Sequence, residues 1–364
     1  MIILKGTRHT KQGILAILCI TWMAGCKEDD KPEFDRKSML SNMAINVIMP
    51  AYTTLNGSLG TLQLETADFI SNPDAISLAA LRAQYVVSAK NYQHCSMYNF
   101  GPAMDCNIKA SFNTFPTDAA KIETNITNGT YTLTINENLT AIGFPAIDYL
   151  LYAGSDSEIL AKFTTDPDAG KRKTYLSDLV AKMKNEFQPV LDQWQGSYKT
   201  SFINADGNDV ASSSSYLLNE FVKDLELTKN ARIGIPSGQQ TGGTIFPTYV
   251  EAYYSGLATS LAYEHLVGLE TCFTGGNGSG FDDYIRDVES DDVTVSLADN
   301  ILAQFTVCKT KMDALADPLS ETITTNVSAV NDVYQELKKL AVYCKTDMTS
   351  MLGILITYQD NDGD

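Results

Sequence analysis

Residues 174–191 read TYLSDLVAKMKNEFQPVL, and the apolar members Leu176, Leu179, Val180, Met183, Phe187 and Leu191 recur three and four positions apart. That period belongs to an α-helix that buries one face. The spacing recurs outward along the chain: at Leu40, Met43, Ala44, Val47 and Ile48, at Leu218, Phe221, Val222 and Leu225, and at Val330, Val333, Tyr334, Leu337, Ala341 and Cys344. Each stripe needs a partner face, so repeated stripes predict an all-α chain built from helix bundles. One segment departs from the period. Residues 130–136 (TYTLTIN) alternate and are rich in β-branched side chains. They predict a strand, paired in a small β-hairpin insertion with residues near 108–112.

A length of 364 residues suggests two domains, each large enough to bury a core. The polar, Ser-rich stretch 201–215 (SFINADGNDVASSSS) is the expected junction. The expected organisation is a signal peptide at 1–25, a tether at 26–37, one helical bundle at 38–205 and a second at 206–364. The Gly-rich loop 235–244 lacks GxxxxGK[ST], so it does not read as a phosphate cradle.

Lys5, Arg8 and Lys11 precede the apolar run 13–23 (GILAILCITWM). The run is too short to span a bilayer and has the length of a signal-peptide core. It ends in Met23-Ala24-Gly25-Cys26, which resembles the bacterial lipoprotein box and marks Cys26 for acylation. A membrane is therefore an expected partner, through a lipid on Cys26. The next residues, Lys27-Glu28-Asp29-Asp30, resemble the acidic export tag of Bacteroidetes lipoproteins; they read equally as a solvated tether. The expected location is the outer membrane, facing the periplasm or the cell surface. The formal charge of −17 falls to about −20 once Lys5, Arg8 and Lys11 leave with the signal. Such a surface repels phosphate backbones and argues against nucleic acid as a partner.

Five cysteines remain beyond Cys26: Cys95, Cys106, Cys272, Cys308 and Cys344. Cys95 and Cys106 flank Gly101-Pro102 and suggest a disulfide; the alternative is that all five are small buried hydrophobes. Two histidines follow the signal, His94 and His265, and neither lies in HExxH, the spacing of a zinc peptidase. His265 shares a face with Leu257, Ala258 and Leu261 and reads as a packed core residue. His94 adjoins Cys95, but adjacent residues on a helix point apart, which disfavours a dyad. Ser255 lies outside a GxSxG elbow.

Gly143-Phe144-Pro145-Ala146-Ile147-Asp148 resembles the imelysin signature GxHxxE. Asn99-Phe100-Gly101-Pro102, Ala231-Arg232-Ile233-Gly234-Ile235-Pro236, Val250-Glu251-Ala252-Tyr253-Tyr254-Ser255-Gly256 and the ending Asp360-Asn361-Asp362-Gly363-Asp364 resemble further blocks of that family, in the same order. The resemblance implies two helical domains related by duplication, with a site where they meet, in an envelope lipoprotein linked to iron uptake. It implies iron or another divalent cation as the cofactor or ligand, and an outer-membrane receptor as a partner. The family is also filed as a metal-dependent peptidase.

The signature is altered here. Pro145 stands at the histidine position and Asp148 at the glutamate. Proline has no imidazole, so a metal site of His plus carboxylate one turn apart cannot form from this motif. Asp148, Glu251 and Ser255 are the candidate metal- or ligand-binding residues, with Gly143, Pro145 and Asp148 as the signature positions. Glu251 reads equally as an acid in the first turn of a helix after Pro247. The favoured expectation is a protein that binds iron, an iron complex or a small polar ligand. The alternatives are a metal-dependent peptidase and a structural surface protein.

Overall fold

The computed structural model describes residues 33–358. The expected signal peptide, Cys26, the acidic run 27–30 and the ending 360–364 lie outside the described residues. After a short helix (Arg36–Asn42) and the segment 43–48 come two long helices, α1 (Met49–Ser71) and α2 (Ala75–Gln93). The turn between them is set by Asp74, whose carboxylate accepts the N–H groups of Ile76 and Ser77 and so caps α2. The short helix α3 (Ile108–Phe112) leads toward the signature helix α4 (Gly143–Tyr152). The 174–191 stripe lies within α5 (Ala169–Gln195), which packs along α1, while α1 packs along α2.

The later part of the chain contains α6 (Ser213–Leu227), α7 (Ala258–Thr274), α8 (Leu297–Asp313) and α9 (Val327–Val342). Here α8 packs between α7 and α9, and α7 also packs against α2. The loop 205–212 joins the helix Ser197–Asn204 to α6. Residues 34–358 belong to one compact unit.

Every member of the 174–191 stripe is buried, as the period requires. Around Phe187 the core is aromatic: Tyr52 lies edge-on to Phe187 at 5.3 Å and to Trp194 at 5.9 Å between ring centroids. The segments 43–48, 228–234 and 343–348 are wound as π-helix, a form frequent at functional sites.

The expected hairpin does not form, and no strand occurs among the described residues. Residues 108–112 are helical, 130–134 have no regular structure, and Ile135 and Asn136 begin a short helix (Ile135–Asn138). The alternation still has a cause. Tyr131, Leu133 and Ile135 pack on the core from one side. Tyr131 lies edge-on to Tyr175 of α5 at 4.8 Å and donates its hydroxyl to Asp178 at 2.7 Å. Period two reports one-sided burial, whereas a sheet also needs a second backbone to take up the N–H and C=O groups.

Candidate functional site

Helix α4 begins at Gly143, whose φ of +74° suits glycine. A Cβ built there would sit 2.3 Å from the carbonyl oxygen of Phe112, so the signature glycine lets α4 approach α3. Pro145 is buried in the first turn, where a missing N–H breaks no helical bond. One turn on, Asp148 is 1% exposed. Its carboxylate accepts the backbone N–H groups of Tyr254 at 2.8 Å and Ser255 at 3.2 Å, and the hydroxyl of Tyr85 at 3.2 Å. Burial raises its pKa to about 6, against the downward pull of those donors. Ser255 contributes its N–H to Asp148, and its hydroxyl donates to Ala252 O at 3.3 Å.

Glu251 begins the same turn and is 2% exposed. It forms an ion pair with Arg232 and accepts from Gln93 Nε2 at 3.0 Å and Asn113 Nδ2 at 2.6 Å. Arg232 in turn donates to Gln93 Oε1 at 2.8 Å. The π-wound segment 228–234 carries Arg232, so its extra residue per turn helps to set where the guanidinium emerges. Between the two carboxylates, Ala252 adopts φ +48°, an unfavourable value for a residue with a Cβ. The structure therefore brings Asp148, Glu251 and Ser255 together on the turn 251–256. Glu251 acts there as the partner of Arg232 and not as a helix-terminal charge.

These surroundings decide the metal question. Asp148 faces three hydrogen-bond donors and Glu251 faces a guanidinium and two amides. Both carboxylates are already satisfied by positive or N–H-bearing groups, and Pro145 supplies no ligand. Among the described residues no group of three or more His, Cys, Asp or Glu side chains converges. The donor set implied by the resemblance does not fit a metal ion.

Beside the turn lies a cleft of about 390 Å³ lined by Tyr92, Ser96, Lys109, Asn113, Asp224 and Arg232, with Asn107, Thr114 and several apolar side chains along the remaining wall. Its floor is Asp224 on α6, 2% exposed. Asp224 forms an ion pair with Lys109 and accepts the Ser96 hydroxyl at 2.6 Å. Burial alone would raise the Asp224 pKa, but the Lys109 ammonium beside it holds the carboxyl well below the usual range. His265 lies behind, fully buried, with Nε2 3.4 Å from Asp224. Burial pushes its pKa down to about 3, so the ring is neutral at physiological pH. Gln93 O, 3.2 Å from Nδ1, and the Asp224 carboxylate, 3.4 Å from Nε2, can each only accept, so either nitrogen has a partner for the single ring proton.

Ser96, His265 and Asp224 touch one another, yet they do not make a nucleophile and base. The Ser96 proton points to Asp224 and not to the ring, and Asp224 is a weak base because Lys109 stabilises its charge. Cys95 is buried and Cys106 half-buried; both are free thiols, and the structure does not join them. His94 bonds to Glu264 at 3.2 Å. The sequence singled out none of Ser96, Lys109, Asn113 or Asp224. Only Asp224 left a signal, as an acid three residues after Phe221 on an otherwise apolar face.

The imelysin family model matches residues 48–342. The crystal structure of a "putative iron-regulated protein A precursor" from Parabacteroides distasonis is similar, with a TM-score of 0.75 and 16% identity over 89% of this chain and 97% of that one. An imelysin-like protein from Psychrobacter arcticum has a TM-score of 0.72 and 18% identity over the same shares. No curated protein matches the chain. With a fold shared with two such structures and a family match over most of its length, the chain belongs to the imelysin family.

Proposed function

We propose that this protein is a binding protein of the cell envelope, acylated at Cys26 in the outer membrane, that takes an iron complex into the cleft over Asp224. The observation that carries this reading is the cleft itself. It has the volume of a small-molecule site, a polar floor locked by ion pairs and a wall that is otherwise largely apolar. Iron enters through the name of one structural neighbour, an iron-regulated protein, and through the family resemblance. A complex is favoured over the bare ion because Asp148 and Glu251 already face donors, so recognition falls to the organic shell. The location of the cleft, between the α2–α3 region and α6 with the turn after it, supports a role for the meeting of early and late parts of the chain. Delivery to an outer-membrane receptor would be the consequence of such binding.

Isothermal titration of the full chain with ferrous iron, ferric iron, haem, ferric citrate and ferric tris(acetohydroxamate) tests the proposal. At least one complex should bind, the bare ions should not, and Ala231→Trp, which fills the cleft wall, should abolish the signal. Heat from none of the complexes, or binding indifferent to Ala231→Trp, would defeat it. A peptidase role finds no support in the geometry, because the candidate hydroxyl at Ser96 has no competent base.

A further inference from the structure

Resting on that binding role, we infer that the cleft selects an uncharged ligand bearing amide-type carbonyl and N–H groups, and discriminates against anionic ligands. The first argument is charge balance. The two cations that line the cleft, Lys109 and Arg232, each face a carboxylate, Asp224 and Glu251 respectively. Both carboxylates are at most 2% exposed and cannot turn out to water. An anionic ligand that drew Lys109 or Arg232 toward itself would leave a buried carboxylate with less compensation, a costly exchange. It would also approach through the field of a chain whose formal charge is −17.

The second argument is the set of hydrogen-bonding groups that remain. The Tyr92 hydroxyl is buried on the lining and has no hydrogen-bond partner among the described residues. It sits near the Asp224 and Arg232 charges and is an O–H available to a carbonyl oxygen. Asn113 commits its amide N–H to Glu251 at 2.6 Å, which leaves its carbonyl oxygen to accept. Asn107 is exposed on the lining, and its side chain makes no hydrogen bond among the described residues, so both halves of its amide are available. The Thr114 hydroxyl donates to Ala110 O at 2.8 Å and retains lone pairs toward the cleft. The groups that remain are neutral donors and acceptors, and they match an amide or a hydroxamate better than a carboxylate. Met104, 54% exposed, and Leu227, 39% exposed, complete the lining with apolar surface that an uncharged ligand would cover.

Two sources share this chemistry: a neutral ferric hydroxamate chelate and an uncharged peptide. Titration of the full chain with ferric tris(acetohydroxamate), with N-acetyl-Ala-Leu-Ala-amide and with ferric citrate separates them. At least one of the two neutral probes should bind about tenfold or more tightly than ferric citrate. Ala231→Trp should remove that binding, and Asn107→Gly, which keeps the left-handed backbone (φ +53°) and deletes the amide, should weaken it severalfold while thermal unfolding shows both variants folded. Ferric citrate binding as tightly as the neutral probes, with loss in Ala231→Trp, would overturn the selectivity and leave the binding role intact. If neither neutral probe binds in a manner sensitive to Ala231→Trp, the selectivity is overturned, and haem binding that is lost in Ala231→Trp would show the binding role standing without it.

Discussion

Asp148 provides the sharpest test of the physical reading, because burial and hydrogen bonding act on it in opposite directions. Its pKa rises from 3.8 to about 6 in the folded protein. The native state therefore holds this proton more tightly than the unfolded chain. The stability contribution of the group is greatest at low pH, declines as pH climbs from 3.8 to about 6, and above that the full cost is present. That cost is about 3 kcal/mol at pH 7. Asp148→Asn removes the charge and can keep the contacts: its oxygen accepts from Tyr254 and Ser255, and its amide donates to a Tyr85 hydroxyl turned to accept. The asparagine variant should thus be more stable than the parent by up to about 3 kcal/mol at pH 7, and by about 1 kcal/mol at pH 4.5. Asp148→Ala strands the same donors, each at about 1–3 kcal/mol, and should fall well below the asparagine variant. Urea unfolding followed by circular dichroism at the two pH values measures all three. The reasoning is refuted if asparagine destabilises as much as alanine at pH 7, or if the asparagine advantage is the same at both pH values.

Arg232→Met should destabilise by about 3–5 kcal/mol because it leaves Glu251 buried and unpaired, and the double variant with Glu251→Met should recover most of the loss in chemical denaturation. His265 should show no titration midpoint between pH 5 and 8 in NMR spectra of its ring; a midpoint near 6.5 would contradict its burial. With its pKa pushed down to about 3, the stability it contributes is present above 6.5 and lost progressively as pH falls toward 3. Gly143→Ala should cost more than about 2 kcal/mol in thermal or chemical unfolding, because the new Cβ meets Phe112 O and the positive φ is strained.

The helices were legible because their cause is local. Leu176, Leu179, Val180, Met183, Phe187 and Leu191 repeat within one segment, and any chain that buries one face of a helix must place apolar side chains at that interval. The family was legible for a related reason, since its blocks are short runs in a given order. Asp148 and Glu251 could be singled out as acids within such blocks. The alternation of 130–136 pointed to a strand that does not form, because whether a second strand lay beside it was beyond any local pattern.

What those residues face was decided only in three dimensions. Asp148 meets the N–H groups of Tyr254 and Ser255, more than a hundred positions away, and Glu251 meets Arg232 and Gln93. Asp224 becomes the floor of a cleft because Ser96 and Lys109 arrive beside it from an earlier part of the chain. A carboxylate looks the same in a sequence whether its neighbour will be a cation, an amide or water. Periodicity records which face a residue turns inward, and the chemistry it finds there depends on how distant helices pack.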